Sequence, residues 1–337
     1  MKKNFVYLSI IAIISLISCT KESRTSDVAE NVVQVTFSVN LKDNISTRSI
    51  SDGKSADRLV YAVFDENGKR ISTIPAVDKT TAFPATETIS LAKGQTYKIA
   101  FWAQNSNCNA YSVDTDNMVV SVDYTDGDSN TGIGDFNNNE NRDAFFKTVE
   151  VTLMGNTSIN VEMKRPFAQI NVGAYQDDWN TAVASGIEIE KSAVIIENAA
   201  TSIDLLTGAV GAETTDVKVS YSSADIPAEE LKIDLNKDGD FDDANEKYVW
   251  LSMSYILVAD HDNTADEYGL FGSDKATLQS LKYSFIPFEG NDIVFDEGLT
   301  NVPVQRNWRT NIIGSILTGD VHFNISIDPG YEDDYNI

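Results

Sequence analysis

Alternation of apolar and polar residues with a period of two is the dominant pattern of this chain. Its clearest instance is the run VQVTFSVNL, in which Val33, Val35, Phe37, Val39 and Leu41 share one face and polar side chains share the other. Because successive side chains of a strand point to opposite faces of a sheet, the run predicts a strand with one buried face.

Strand-like runs recur along the whole chain at spacings of roughly 8–15 residues, with almost no long helical pattern, which is typical of β-sandwiches. The length of 337 residues is sufficient for two domains that each bury a core. The pattern restarts after Gly173. The sequence therefore predicts an all-β protein with few short helices, composed of two β-sandwich domains at 32–172 and 173–337.

Two segments depart from the strand pattern. The stretch Asp126–Asp143 is rich in Asp, Asn and Glu and almost free of apolar residues, which predicts a surface loop. The stretch Asp177–Val183 predicts a short helix, capped by an aspartate and closed at Gly186.

The N-terminus has the proportions of an export signal. Two lysines precede the apolar run Phe5–Ile17, which is shorter than the ~20 residues that a helix needs to cross a bilayer. The run ends in Leu16-Ile17-Ser18-Cys19, which matches the lipobox of bacterial lipoproteins. We expect a signal peptide at 1–18, acylation of Cys19 with outer-membrane attachment, and a polar tether at 19–31. An ordinary signal peptide with a chance cysteine is the alternative.

Composition narrows the partners and the chemistry. A net charge of −25 repels nucleic acid and anionic headgroups, which excludes both as partners. With Cys19 acylated, Cys108 is the one cysteine left, so no intrachain disulfide is expected. The two histidines, His261 and His322, have no nucleophile context, so we expect no enzyme; a glycosidase with two carboxylates remains open.

One motif indicates a metal. The stretch DLNKDGDFD reproduces the first nine positions of an EF-hand-type calcium loop, with oxygen ligands expected from Asp234, Asn236, Asp238, Asp240 and Asp242. The bidentate glutamate that usually completes such a loop is missing from its position. The sequence indicates no required cofactor. If Ca²⁺ binds here, its expected role is to stiffen the loop. The alternative interpretation of the stretch is a polar hairpin turn without a metal.

Three segments together resemble one known family. They are Lys164–Gly173, Trp250–Val258 and Val304–Thr318. In this order, and with the lipobox, they resemble the Bacteroidales fimbrillin-like proteins, the Mfa-like and FimA-like subunits of type V pili. The resemblance implies two transthyretin-like sandwiches, export as a lipoprotein and a place in a fimbrium at the cell surface, with other pilus subunits as partners.

The resemblance also implies assembly by strand exchange. An arginine-specific protease removes the first strand, and a strand from a neighbouring subunit fills the vacated groove. Here the departing strand would be the run from Val33 to Leu41, and Arg48 lies in the polar stretch between it and the next predicted strand. The C-terminal segment Val321–Ile337 is a candidate donor.

Other interpretations stay open. Arg48 could be an ordinary loop residue beside a permanent strand, as in a subunit that anchors the fibre and keeps its lipid. The protein could also be a non-polymerising tip or a glycan-binding adhesin. For a glycan-binding role, the sequence does not decide whether Trp179 and Trp308 form a sugar-binding surface or belong to the core. Trp102 and Trp250 lie in apolar runs that predict core positions.

Overall fold

The structure, a computed structural model, is built from β-strands with a single α-helix among the residues it describes. Those residues are 31–41, 55–124, 140–222, 231–232, 238, 240, 243, 246–258, 277–278, 281–300, 302–318 and 322–328. The strands of the first half are β1 (Val32–Leu41), β2 (Arg58–Asp65), β3 (Val77–Thr80), β4 (Ala85–Ala92), β5 (Thr96–Gln104), β6 (Tyr111–Asp114), β7 (Val119–Val122), β8 (Ala144–Thr152) and β9 (Thr157–Met163).

The second half continues this pattern. Its strands are β10 (Phe167–Tyr175), β11 (Ile189–Ala200), β12 (Ser202–Asp204), β13 (Thr214–Ser222), β14 (Leu231–Lys232), β15 (Lys247–Leu257), β16 (Thr277–Leu278), β17 (Leu281–Pro287), β18 (Ile293–Leu299), β19 (Val302–Pro303), β20 (Arg309–Ser315) and β21 (His322–Asp328). Helix α1 spans Gln176–Ala184, and Glu140–Arg142 forms a single 3₁₀ turn. The structure confirms the predicted all-β class.

Two sheets face each other in the first half. A three-stranded sheet has the order β4-β1-β9, and a four-stranded sheet has the order β3-β2-β5-β8. A closed apolar core fills the space between them and includes Phe37 from one sheet and Leu59, Ile99 and Phe101 from the other. We call this unit the first sandwich. The alternation in β1 and β4 produces it, since each strand turns one apolar face toward the core.

The second half is organised around a nine-stranded sheet. Its main order is β18-β17-β11-β15-β10-β20-β21, with β13 also paired to β11 and β14 to β15. The small sheet β12-β7-β6 combines strands from both halves, and β16 pairs with β19. The predicted boundary between 172 and 173 lies inside β10, which belongs to the large sheet over its whole length. The division into two domains stays a prediction.

A second apolar core joins the two halves. It includes Val60 and Trp102 on the outer face of the four-stranded sheet, and Ile170, Trp250 and Ile312 in the nine-stranded sheet. Both tryptophans that were predicted to be core residues are buried, which confirms that prediction. The halves therefore share one continuous apolar interior beyond the first sandwich.

The helix forms where it was predicted but is not capped as expected. Its N-cap is Tyr175, and no side chain there accepts a hydrogen bond from the first turn. The Asp178 carboxylate instead accepts the backbone N–H groups of Ile316 at 2.7 Å and Leu317 at 2.8 Å, beyond the end of β20. The aspartate ties the helix to the following turn. Gly186, with a positive φ of 82°, follows the helix end.

Within the described ranges, no helix is both long enough and apolar enough to span a bilayer.

Candidate functional site

The first strand lies between two others in the three-stranded sheet. Its pairing with β4 is antiparallel and runs from Val32 opposite Ala92 to Val39 opposite Ala85. Its pairing with β9 is parallel and runs from Val35 opposite Thr157 to Leu41 opposite Met163. We call the space between β4 and β9 the slot. Without β1, the slot would expose two facing rows of unpaired backbone N–H and C=O groups.

The inward face of β1 fills the first sandwich. Val35, Phe37 and Val39 are 0% exposed and Val33 is 5% exposed, while Leu41 at the end of the strand is half-buried. The Phe37 ring meets the Phe101 ring edge-on at a centroid distance of 5.3 Å. Full burial of such side chains stabilises a fold by about 1.5–3 kcal/mol each, so β1 carries a large share of this core. The structure thus confirms four predicted inward residues and places the fifth at the rim.

The outward face of β1 makes polar contacts to both neighbours. The Gln34 backbone N–H donates to Asn156 Oδ1 at 2.9 Å, and the Thr36 and Thr88 hydroxyls lie 3.1 Å apart. Asn40 Nδ2 donates to Asn160 Oδ1 at 2.5 Å. These contacts form in the same register that buries the apolar face. A slip of β1 by one residue would break them and would turn every apolar side chain outward.

One charged group points into the first sandwich beside β1. Glu87 on β4 lies opposite Phe37, is 8% exposed, and forms an ion pair with Lys79 on β3. The Tyr61 hydroxyl donates to Glu87 Oε2 at 3.3 Å. Burial, followed by the negative charge of Glu87 and this hydrogen bond, raises the pKa of Tyr61 to about 12. The ion pair joins β3 and β4 along one side of the sandwich.

A buried polar cluster holds the end of β9, where the chain passes into β10. The Arg165 guanidinium donates from Nε to Asp143 Oδ1 at 2.5 Å and from a terminal nitrogen to Asp143 Oδ2 at 2.7 Å. Both residues are 1% exposed, and the guanidinium carbon lies 4.5 Å from the centroid of the Phe145 ring. We call this pair the junction. The predicted surface loop Asp126–Asp143 lies outside the described residues as far as residue 139. At its last residue the prediction is wrong, because the Asp143 carboxylate pairs inside the protein.

The segment Val304–Thr318 makes polar contacts at and near the junction. Asn307 Oδ1 accepts the Arg165 backbone N–H at 3.1 Å, and the Asn307 N–H donates to the Phe167 carbonyl at 2.8 Å. The Arg306 guanidinium donates at 2.9 Å to each of the carbonyls of Gly208 and Val258. Sequence reasoning did not identify these polar roles; the arginine in each of two family-like segments was the available signal.

Several predicted site residues lie outside the described residues. They include Cys19, Arg48, and three of the five candidate calcium ligands, Asp234, Asn236 and Asp242. The other two ligands, Asp238 and Asp240, are exposed, and the Asp240 N–H donates to Asp238 Oδ1 at 3.1 Å. Among the described residues, no group of three or more metal-ligating side chains is close enough together to hold an ion. The calcium loop stays a prediction.

The candidate donor strand forms within the chain. β21 pairs with β20 from Ser315 opposite His322 to Arg309 opposite Asp328 and ends the order of the nine-stranded sheet. Its Ile325 is 37% exposed. In the described part of the chain β21 therefore has a neighbour on one side, whereas β1 has one on each side.

A surface cleft of about 880 Å³ lies beside the small sheet that joins the halves. Its lining combines apolar surface with polar side chains that include Asn109, Ser112, Ser121, Thr201 and Asp216. None of the four tryptophans is among its described lining residues, and Trp179 and Trp308 are half-buried elsewhere.

Fold and site together define a class: an all-β protein that encloses its first strand between two others. The model of a family of unknown function, DUF6562, matches residues 25–337, and the chain belongs to this family. A comparison with curated protein sequences finds no match.

Solved structures resemble the chain at low sequence identity. A candidate cell adhesion protein from Bacteroides uniformis has 12% identity and a TM-score of 0.48, with 89% of this chain and 97% of that chain covered. The tip fimbrial protein Mfa3 from Porphyromonas gingivalis, truncated at its C-terminus, has 12% identity and a TM-score of 0.43, with 88% of this chain and 99% of that chain covered. A fimbrial assembly protein from Parabacteroides distasonis has 13% identity and a TM-score of 0.42, covering 88% and 98%. Similarity at this level does not define a function for the chain.

Proposed function

We propose that this protein is a strand-accepting subunit of a cell-surface fimbria that supports adhesion. In this proposal it is exported as a lipoprotein acylated at Cys19, held at the outer membrane, and cut after Arg48 by an arginine-specific protease. The single observation that carries the proposal is the position of β1, which is buried between β4 and β9. A cut between β1 and β2 separates this strand from the rest of the fold.

The physical basis is addition of a strand to a prepared slot. Loss of β1 leaves unpaired backbone groups on both walls and an apolar groove where Val35, Phe37 and Val39 were. An incoming strand of the same alternation satisfies both the hydrogen bonds and the groove. Filling a vacated slot therefore strongly favours association with another subunit.

The C-terminal strand has a sequence that suits the slot. The run VTFSVNL at 35–41 and the run VHFNISI at 321–327 share an aromatic residue at the third position and aliphatic residues at the first, fifth and seventh. In its own sheet β21 has one described neighbour and leaves Ile325 37% exposed. Transfer into the slot of a second copy would give it two neighbours and bury that side chain, which supports β21 as the donor.

Proteolysis of the purified precursor tests the proposal. An arginine-specific protease should cut after Arg48 and convert the monomer into ladders that resist mild denaturation, with released β1 identified by its mass. The matched control is Arg48→Lys, which keeps the positive charge and removes the cleavage site. Mass analysis also separates this cut from one at Arg24, which lies before β1 and would leave the slot filled.

A second variant tests the donor. Ile325→Asp changes an exposed side chain, so the uncut monomer should melt close to the original protein. After cleavage it should form few ladders, because a carboxylate in the apolar slot is strongly disfavoured. Cleaved protein that stays monomeric without any substitution would contradict polymerisation and favour the anchor, tip or glycan-binding interpretation.

A further inference from the structure

The two ends of the first sandwich have different neighbours along the chain. At one end the Lys93 N–H donates to the Asn31 carbonyl at 2.8 Å, and the Gly94 N–H donates to the Leu153 carbonyl at 2.6 Å. We call this the entry end, because the chain enters β1 there. At the opposite end Leu41 lies opposite Met163, directly before Lys164 and the junction. We call this the junction end.

The second half of the protein is fastened to the first sandwich at the junction end. The Lys164 N–H and carbonyl exchange backbone hydrogen bonds with Phe146 at 3.2 and 2.9 Å. The next residue, Arg165, holds the buried ion pair with Asp143. A force applied to the nine-stranded sheet therefore reaches the three-stranded sheet along the chain at the C-terminal end of β9, whereas a force applied to the N-terminal segment reaches that sheet at the entry end.

We infer that the slot is a mechanical clamp, which resists tension between the N-terminal segment and the body of the protein by loading β1 in shear. The parallel direction of β1 and β9 is the reason. The N-terminal end of β1 and the C-terminal end of β9 lie at opposite ends of the sheet, so tension acts along the strands. Inter-strand hydrogen bonds run across that direction, and all of them share the load at once.

The packing of β1 increases this resistance. Sliding by one residue would turn Val35, Phe37 and Val39 out of the core, and sliding by two would move each through its neighbour's position. Phe37 also contacts Phe101 in the facing sheet, so shear moves an aromatic ring through a closed core. Peeling from one end would break the contacts one pair at a time.

The clamp rests on the proposed function in one respect, namely that the N-terminal segment is the membrane tether. In a subunit that keeps β1 and its lipid, the clamp would carry the tension of the fibre.

Single-molecule force spectroscopy with two handle positions tests the inference. Both proteins are the full chain with Cys19→Ser and one handle at the N-terminus. The second handle is attached through Lys164→Cys at the junction end for shear, or through Met154→Cys at the entry end for peeling. Lys164 is exposed, Met154 is 71% exposed and Cys108 is buried, so each engineered thiol can be labelled selectively.

The shear arrangement should rupture at a severalfold higher force than the peeling arrangement at the same loading rate. Asn156→Ala, which removes the contact to Gln34 near the entry end, should lower the peeling force and leave the shear force nearly unchanged. Equal rupture forces for the two handle positions would overturn the inference. If Lys164→Cys lowers the melting temperature, Glu162→Cys supplies a second exposed handle near the same end.

This measurement uses a monomer without membrane or partner. A failed polymerisation assay would leave the force difference in place, and a missing force difference would leave strand exchange in place. The two proposals can therefore fail separately.

Discussion

At the scale of single residues, the inward positions of β1 could be predicted from sequence, and the buried charges could not. The alternation from Val33 to Val39 is local, so it shows which side chains turn inward without knowledge of the neighbours. Glu87, Asp143 and Asp178 are buried because their partners lie elsewhere in the chain; Asp178, for example, meets Ile316, which lies 138 positions later. No local pattern carries that information.

Phe37 is the residue on which the filled slot depends most. Phe37→Ala removes a side chain that is 0% exposed and leaves a cavity against Phe101, so we expect a loss of about 3–5 kcal/mol in the free energy of unfolding. Thr36→Val, on the outward face of the same strand, is the matched control and should change stability by about 0.5 kcal/mol or less. Urea denaturation measures both, and equal effects would show that β1 is not packed as described.

The raised pKa of Tyr61 makes the stability of the first sandwich depend on pH in the alkaline range. Its pKa is raised to about 12 by burial and by Glu87, above the value of about 10 for an unfolded tyrosine. The fold therefore favours the protonated phenol, so this contribution is complete below about pH 10 and is lost as the pH rises toward 12.

Tyr61→Phe should lose less stability than the original protein between these pH values. Spectrophotometric titration of the phenols, with denaturation measured at each pH, checks this prediction. Identical pH profiles of stability for the two proteins would contradict it.

At the scale of elements, strands were predicted better than their surroundings. The runs 145–151, 158–163 and 167–172 have the strand pattern and lie within β8, β9 and β10, because each pattern is contained within its element. The position of helix α1 was predicted correctly. The predicted capping by an aspartate was wrong, since the Asp178 carboxylate binds the turn at 316–318 rather than its own helix. End contacts depend on tertiary structure, whereas the body of an element depends on its own sequence.

The calcium loop is an element that the sequence predicts and that can be tested directly. If Asp234, Asn236, Asp238, Asp240 and Asp242 bind Ca²⁺, saturation at a hundredfold excess over the dissociation constant would stabilise the protein by about 2.7 kcal/mol. The melting temperature should then rise with calcium and fall with a chelator.

The double variant Asp238→Asn/Asp240→Asn is the control. Both side chains are exposed, so the substitutions should preserve the fold while abolishing the response to calcium. A melting temperature of the unsubstituted protein that is the same with calcium and with chelator would rule out the site.

At the scale of the whole molecule, the arrangement of strands could not be read from sequence. β1 lies beside β4 and β9, and its parallel partner begins more than a hundred residues later in the chain. Alternation defines the faces of a strand but not its neighbours, because sheet order depends on contacts between distant segments. The slot and the direction of loading both follow from that order.

The junction is the contact that should couple the two halves. Asp143→Leu removes the carboxylate that receives two hydrogen bonds from Arg165 and leaves a guanidinium that is 1% exposed. Breaking a buried ion pair on one side costs about 3–5 kcal/mol, so we expect a loss of this size. Because the pair joins β8 to the start of β10, we expect the original protein to unfold in one transition and Asp143→Leu to unfold in two.

The double variant Asp143→Leu/Arg165→Met distinguishes charge from packing. It removes both charges and keeps much of the buried volume, so it should be more stable than Asp143→Leu alone. Tryptophan fluorescence and far-ultraviolet circular dichroism during urea denaturation measure both effects. Coincident transitions in all three proteins would show that the shared apolar core around Trp102 and Ile170, rather than the junction, couples the halves.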